Sequence, residues 1–240
     1  MKIYLFTQIF NEEKILPFFF QHYESFVDHF YVYDNLSTDR SREICKARSD
    51  VTVITFPQKN LDEFILTANR NKMWQRTKSK PDFVIVCDAD EFLYSKNIIK
   101  TLKNMKDGKY TVAKPTGFGM LTKKFPEEGK LITKQIKTGI RTPMMDKCVL
   151  FSPKQIEKMN FGLGSHHCLP EGRVKVYSGD LKLLHYKGLG VDYSLERKNL
   201  YKKRVPKRIL KMGISKHYFA DDKQFVKAIA SSIKKAKKVI

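Results

Sequence analysis

Five consecutive apolar residues, Phe83-Val84-Ile85-Val86-Cys87, run straight into a cluster of acids, Asp88, Asp90 and Glu91, set around Ala89. An unbroken apolar run of this length reads as a strand buried on both faces, which restricts the chain to an α/β design with a covered, mostly parallel sheet. In such sheets ligands gather beyond the carboxyl ends of the strands, so the acids stand where a ligand would sit. If the backbone stays extended past Cys87, Asp88 and Asp90 point the same way. Two converging carboxylates suit a hard divalent cation that keeps part of its water and completes its shell on a substrate phosphate.

The pattern on either side agrees. Residues 2–7 read as a first buried strand, and Asn11-Glu12-Glu13 offers a cap and first-turn acids for a helix to about Phe26, with Pro17 near its start. A second strand over 29–33 ends in the polar turn Asp34-Asn35-Leu36-Ser37-Thr38-Asp39, which hands over to a helix through Cys45 and Ala47. A third strand over 51–55 and a helix over 62–78 complete an alternation that predicts right-handed crossovers between parallel strands. After Asp90 the pattern loosens. It predicts a helix over 97–105, a strand over 110–114, loops or short antiparallel strands over 117–139, strands over 147–151 and 181–185, and a helix over 192–204. A last helix over 223–240 places Phe225, Ile229, Ile233 and Ile240 on one stripe, which fits a helix packed on its own domain or one lying on anionic lipid.

With 240 residues the chain can bury a full core without covalent staples. Cys45, Cys87, Cys148 and Cys168 form no paired metal or redox spacing, which points to a reducing compartment. The opening apolar stretch is too short for a signal peptide and no segment approaches the length of a membrane span, so the expectation is a cytoplasmic protein, peripheral at most to the inner face of a membrane. Forty-six Lys and Arg against 25 Asp and Glu give a formal charge of +21, enough to attract polyanions or an anionic membrane at long range. Much of the excess lies in the last third. His166-His167-Cys168 invites a zinc reading, but neighbours on a strand face opposite ways and no second cluster supplies ligands; a histidine facing an acceptor cleft fits better.

Taken in order, Asn11-Glu12-Glu13, the turn from Asp34 to Asp39, and Asp88-Ala89-Asp90-Glu91-Phe92 resemble the nucleotide-sugar glycosyltransferases of the GT-A fold, in the family-two-like branch whose metal motif reads Asp-x-Asp-Glu-Phe. The resemblance spans residues 1–205, with a nucleotide-binding half (1–115), an acceptor-side half (116–205) and a basic helical extension (206–240). It implies a Rossmann-like central sheet flanked by helices, with a small antiparallel excursion. It further implies that Thr7, Asn11 and Glu12 line the nucleotide pocket, that Asp34 faces base or ribose, and that Arg70 lies near the diphosphate or the donor. Asp88 and Ala89 would meet the nucleotide, and Asp88, Asp90 and His185 would hold Mn2+ or Mg2+.

Glycosyl transfer must stabilise a departing nucleoside diphosphate, and Lys147, Lys187 or Arg70 could add charge-assisted hydrogen bonds to it. If the anomeric carbon is inverted, a carboxylate must also take the acceptor proton; Asp146 and Glu171 are the candidates, as they flank predicted strand ends. Glu91 reads equally as a helix cap or as support for the metal site. The reading is therefore a divalent-metal-dependent transferase moving a hexosyl or related sugar, from a donor such as a uridine diphosphate sugar, to a glycan or lipid-linked acceptor. Two alternatives stand beside it: a basic nucleic-acid-binding protein, and a metal-dependent nucleotidyl- or phosphotransferase.

Overall fold

The computed structural model describes residues 1–240. The chain opens with β1 (Ile3–Ile9), α1 (Leu16–Tyr23), β2 (His29–Asp34), α2 (Ser41–Lys46), β3 (Val51–Thr55), α3 (Glu63–Met73) and β4 (Phe83–Val86). It continues through β5 (Glu91–Tyr94), α4 (Ile98–Asp107), β6 (Val112–Ala113), β7 (Thr116–Thr122), α5 (Ile132–Gln135), β8 (Thr138–Arg141) and β9 (Leu150–Phe151). Then come β10 (Ile156–Lys158), β11 (Glu171–Gly172), β12 (Val176–Tyr177), β13 (Lys182–Leu189), α6 (Val191–Lys202), α7 (Lys207–Lys211), α8 (Asp222–Lys235) and β14 (Lys237–Lys238).

Seven strands form the main sheet in the order β12-β6-β9-β4-β1-β2-β3. β4, β1, β2 and β3 are mutually parallel, while β9 runs antiparallel to both β4 and β6. The expected architecture, a mostly parallel GT-A-type sheet with antiparallel parts and flanking helices, is what the chain adopts. Strand alternation divides the core between the two faces: Ile3, Leu5 and Ile9 of β1 and Phe83 and Ile85 of β4 join a cluster of 35 buried residues, while Tyr4, Phe6, Val84 and Val86 face a second of 12. Both faces are covered, which explains why these strands read as unbroken apolar runs.

A second sheet, β14-β8-β7-β13-β5, stands beside the first. Its β5 follows directly from the acids after β4, and its β13 pairs antiparallel with β5, placing His185 opposite Glu91.

Several local expectations change. The backbone does not stay extended after Cys87: Glu91 N–H donates to Asp88 O at 3.0 Å, closing a turn that reverses the chain into β5. Helix α1 begins only at Leu16, one residue before Pro17, because Asn11 adopts positive φ and its side chain is tied to Thr38 instead of capping. The last helix ends at Lys235 rather than running to Ile240. Lys237–Lys238 instead pair antiparallel with Thr138 and Gly139, and Val239 and Ile240 pack on the main core. Phe225, Ile229 and Ile233 are half-buried on the face of α8 that meets α6, β7 and β8, so the stripe covers the protein's own domain. No helix is long and apolar enough to cross a membrane.

Candidate active site

A cleft opens at the carboxyl ends of β1 and β4, and Asp88 and Asp90 both line it, although a turn and not an extended strand brings them there. Ala89 between them points into the core and is 2 % exposed, so it offers a ligand no side chain.

Asp88 is held from two sides. The Arg70 guanidinium, on α3, pairs with its Oδ1 and also donates to Ser165 Oγ at 2.6 Å. Lys147 Nζ stands 3.7 Å from Asp88 Oδ2 and pairs closely with Glu91 Oε1, while Glu91 Oε2 accepts from Asp88 N–H at 3.1 Å. Glu91 therefore caps no helix; it braces the acid turn. Burial pushes the Asp88 carboxyl up, yet Arg70 and Lys147 outweigh it and hold the group below the usual aspartate range.

Asp90 has a different partner. His185 Nε2 lies 3.2 Å from Asp90 Oδ2, and Tyr186 N–H donates to Asp90 O at 2.7 Å. Along β13 the side chains of His185 and Lys187 reach the cleft, while Tyr186 between them is fully buried in the core. Burial again raises the Asp90 carboxyl, but His185 more than reverses the effect and holds it well below the ordinary range.

The fit to a divalent cation follows from this donor set. Asp90 and His185 form an oxygen–nitrogen pair at the cleft floor, with Asp88 beside them engaged by Arg70. Asp88, Asp90 and His185, the ligands the resemblance implies, do not converge as a ready cluster of three: Asp90 and His185 face each other while Asp88 is turned to Arg70. Two donors suit a cation that takes its remaining ligands from phosphate and water.

The cleft's other wall comes from the amino-terminal loops and the last third of the chain. Glu12 is buried; its Oε1 accepts from Arg197 and, at 3.0 Å, from Tyr201 O–H, while Oε2 has no partner. Burial dominates over Arg197 and pushes this carboxyl up to about 7. Thr7, expected to line the nucleotide pocket, is wholly buried with an unpartnered hydroxyl and is not among the cleft-lining residues, unlike Gln8, Ile9 and Phe10 after it. Asn11 is spent on Thr38, as described. Asp34 accepts from Arg42 at 2.9 Å and from Ser37 N–H at 3.1 Å and does not line the cleft; its neighbour Asn35 does, with a buried, unpartnered Oδ1. Asp39 accepts from Ser41 N–H at 2.9 Å at the start of α2.

The two acids expected to act as base lie elsewhere. Asp146 accepts from Arg141 at 2.6 Å and from Gly117 N–H at 2.7 Å, holding the β7–β8 hairpin to the segment before β9. Glu171 is on the exposed β10–β11 ribbon, paired with Lys158 at 2.8 Å and Asn160 at 2.7 Å. Asp146 sits between the cleft-lining Met145 and Lys147 but turns its carboxylate away to Gly117 and Arg141, and Glu171 lies on a ribbon that does not line the cleft. Glu63, at the first turn of α3, lines the cleft without an ion-pair partner. Burial and the nearby Asp88 raise its carboxyl above the ordinary range.

His166 lines the cleft with its Nδ1 2.9 Å from Met144 O, and His167 does not. Gly164, at φ +63°, makes this possible: a Cβ there would lie 2.7 Å from the His166 ring. Arg204, His217 and Tyr218 complete the wall, the last two beyond the boundary expected at residue 205. Arg204 donates to Gln58 O at 2.8 Å and Lys59 O at 3.1 Å, stacks on Phe10 at 3.4 Å, and leaves Nη1 buried without a partner. Sequence reading missed Asn35, Glu63, Arg197, Tyr201 and Arg204. Only Asn35 carried a local signal, its place in the turn at the carboxyl end of β2.

The acid turn at the carboxyl end of a central strand thus faces a cleft in which Glu12, Glu63, Asp88, Asp90 and Glu91 mix with Arg70, Lys147, Lys187 and Arg204, at the place where open α/β sheets bind their ligands. Residues 5–153 match the model of glycosyl transferase family 2, and the chain belongs to that family. No curated protein matches it. Among solved structures it is similar to S. aureus TarS 1-349, at 11 % identity and a TM-score of 0.51 over 85 % of this chain and 65 % of that one. The same protein in complex with UDP gives 12 % identity and a TM-score of 0.50 with the same coverage. The chain thus spans about two thirds of the length of these structures.

Proposed function

We propose that this chain transfers a sugar from a nucleoside diphosphate, uridine-based, to a glycan or lipid-linked acceptor, with a divalent cation held at Asp90 and His185. The observation that carries the reading is the placement of these two donors beside Asp88 at the end of β4, in a cleft whose walls also bring Arg70, Lys147 and Lys187. A cation bound there supplies fixed positive charge to the departing diphosphate. Arg70 and Lys147 orient Asp88, and Lys187 on the same face as His185 offers a further charge-assisted hydrogen bond to phosphate. The unpartnered acceptor of Asn35 and donor of Arg204 suit a uracil edge, which carries an imide N–H between two carbonyls. That UDP is bound by the similarly folded TarS supports the choice of base.

Glu63 is the acid we assign to the acceptor proton. It is the one carboxylate lining the cleft with no ion-pair partner, so its basic lone pairs are free. Its raised affinity for protons suits a general base better than that of Asp88 and Asp90, whose cationic partners hold them low. The basic last third would hold the protein near an anionic membrane or an acidic acceptor.

Calorimetry with UDP, with and without Mn2+, tests the reading. Wild type should bind UDP with metal-dependent affinity, and Asp90→Ala should abolish the metal-dependent part. Binding indifferent to both metal and substitution would sink the proposal.

A further inference from the structure

A second, larger groove lies on the opposite edge of the main sheet. Asp82 precedes β4 and Asp88 follows it, so the two acids stand at opposite ends of this strand, at most about 20 Å apart. Because β9 runs antiparallel to β4 and β6 runs parallel, Ser152 after β9 and Thr111 before β6 come to the same edge as Asp82. Together with Lys175 before β12, they line a groove of about 580 Å³, within the range of small-ligand sites.

Its charge is one-sided. Lys106, Lys109, Lys154, Arg173 and Lys175 line it against the single carboxylate of Asp82. Lys106 and Lys154 share that acid at 3.2 and 3.8 Å, and Lys175 donates to Gly108 O at 2.9 Å while standing 4.6 Å from the Tyr110 ring centroid. Lys109 and Arg173 have no carboxylate partner. The rim is fixed by backbone bonds: Ser152 N–H donates to Thr111 O at 2.7 Å, Lys175 N–H to Thr111 Oγ1 at 2.8 Å, and Arg173 N–H to Gln155 O at 2.9 Å.

We infer that this groove is a second binding site, for a phosphate group carried on a small polar body such as a sugar. A phosphate presents three acceptor oxygens and up to two charges, one for each of the unpaired cations Arg173 and Lys109; a lone carboxylate would leave one of those two charges unmatched. The Ser152 hydroxyl and the Gln155 side-chain amide line the groove free to hydrogen-bond a polyol body, and the Tyr110 ring offers it a flat surface. The site is remote from Asp90 and independent of the donor cleft. The phosphate can come from a soluble sugar phosphate or from a lipid headgroup.

Lys109→Glu combined with Arg173→Glu is the test, both positions lying on the groove and outside the donor cleft. Titration with glucose 1-phosphate, followed by NMR shifts or calorimetry, should give saturable binding that persists under saturating UDP and weakens at least tenfold in the double variant. Flotation with phosphatidic acid vesicles is the second arm, and loss confined to that arm assigns the phosphate to lipid. Retained UDP binding by the double variant reports an intact fold and donor cleft. Competition between glucose 1-phosphate and UDP, equal binding by wild type and variant in both arms, or a loss confined to an oligonucleotide would overturn the inference.

Discussion

His185 and Asp90 meet at 3.2 Å although 95 residues separate them, because β13 lies antiparallel to β5 and sets His185 opposite Glu91, the residue after Asp90. His185→Ala should therefore weaken Mn2+-supported UDP binding by about tenfold or more while leaving metal-free binding unchanged, the usual scale for losing one ligand or its support. Asp90→Asn should act in the same direction, and the double variant should lose little more than either alone, since both report one cation. Manganese titration followed by electron paramagnetic resonance checks this. Full additivity of the two losses would separate the pair.

Lys147 and Glu91 form an ion pair in which both side chains are nearly inaccessible, 3 % and 1 % exposed. Removing one member leaves the other charge buried and unpaired, so Lys147→Met should lower stability by about 3–5 kcal/mol in urea unfolding. Lys147→Met with Glu91→Gln should recover most of that loss. A single variant as stable as wild type would mean that the pair contributes nothing to the acid turn.

Glu63→Gln keeps the shape of the side chain and removes its basicity. It should cut kcat by about 10²-fold or more, within the usual range for a general base, with UDP affinity unchanged. The pH profile carries a second signature. A base must be deprotonated to act, and the carboxyl of Glu63 is raised by burial, so the acidic limb of kcat should lie above the ordinary glutamate range and vanish in the variant. An unchanged kcat would return the role to another group.

His22 gives the fold a pH dependence of its own. The imidazole, on the last turn of α1, packs partly buried with Nε2 2.8 Å from Leu93 O, and burial, opposed by that hydrogen bond, lowers its pKa to about 4. The unfolded chain binds the proton near pH 6.5, so the unfolded state holds more protons between that value and about 4. Stability from this group is complete above pH 6.5 and is lost as pH falls towards 4, by up to about 3 kcal/mol. Denaturation of His22→Gln across pH 4–7 should show a correspondingly shallower slope, and an unaltered slope would assign the effect elsewhere.

The first half of the fold could be read from sequence because its signals are local. β1 and β4 are covered on both faces and so are apolar throughout, and Asp62 caps α3 by accepting from Phe64 and Ile65 N–H. The acid turn could be found for the same reason, as it follows directly from β4. Asn35, Glu63, Arg197 and Arg204 could not, because nothing near them in the chain says which edge of the sheet they will face. Glu12 meets Arg197 only when α6 docks, 185 residues later. Asp146 and Glu171 show the converse: acids near strand ends whose partners, Arg141 and Lys158, come from neighbouring hairpins.

The ladder between β5 and β13 works as a ruler for the cleft. Alternating rungs send His185 and Lys187 one way and Tyr186 the other, so a slide of a single rung would exchange an imidazole for a phenol beside Asp90. The fully enclosed Tyr186 ring, wedged against Phe92 at 4.9 Å, is what forbids that slide. An apolar contact on the hidden side of the strand thus sets which element stands opposite the aspartate on the open side.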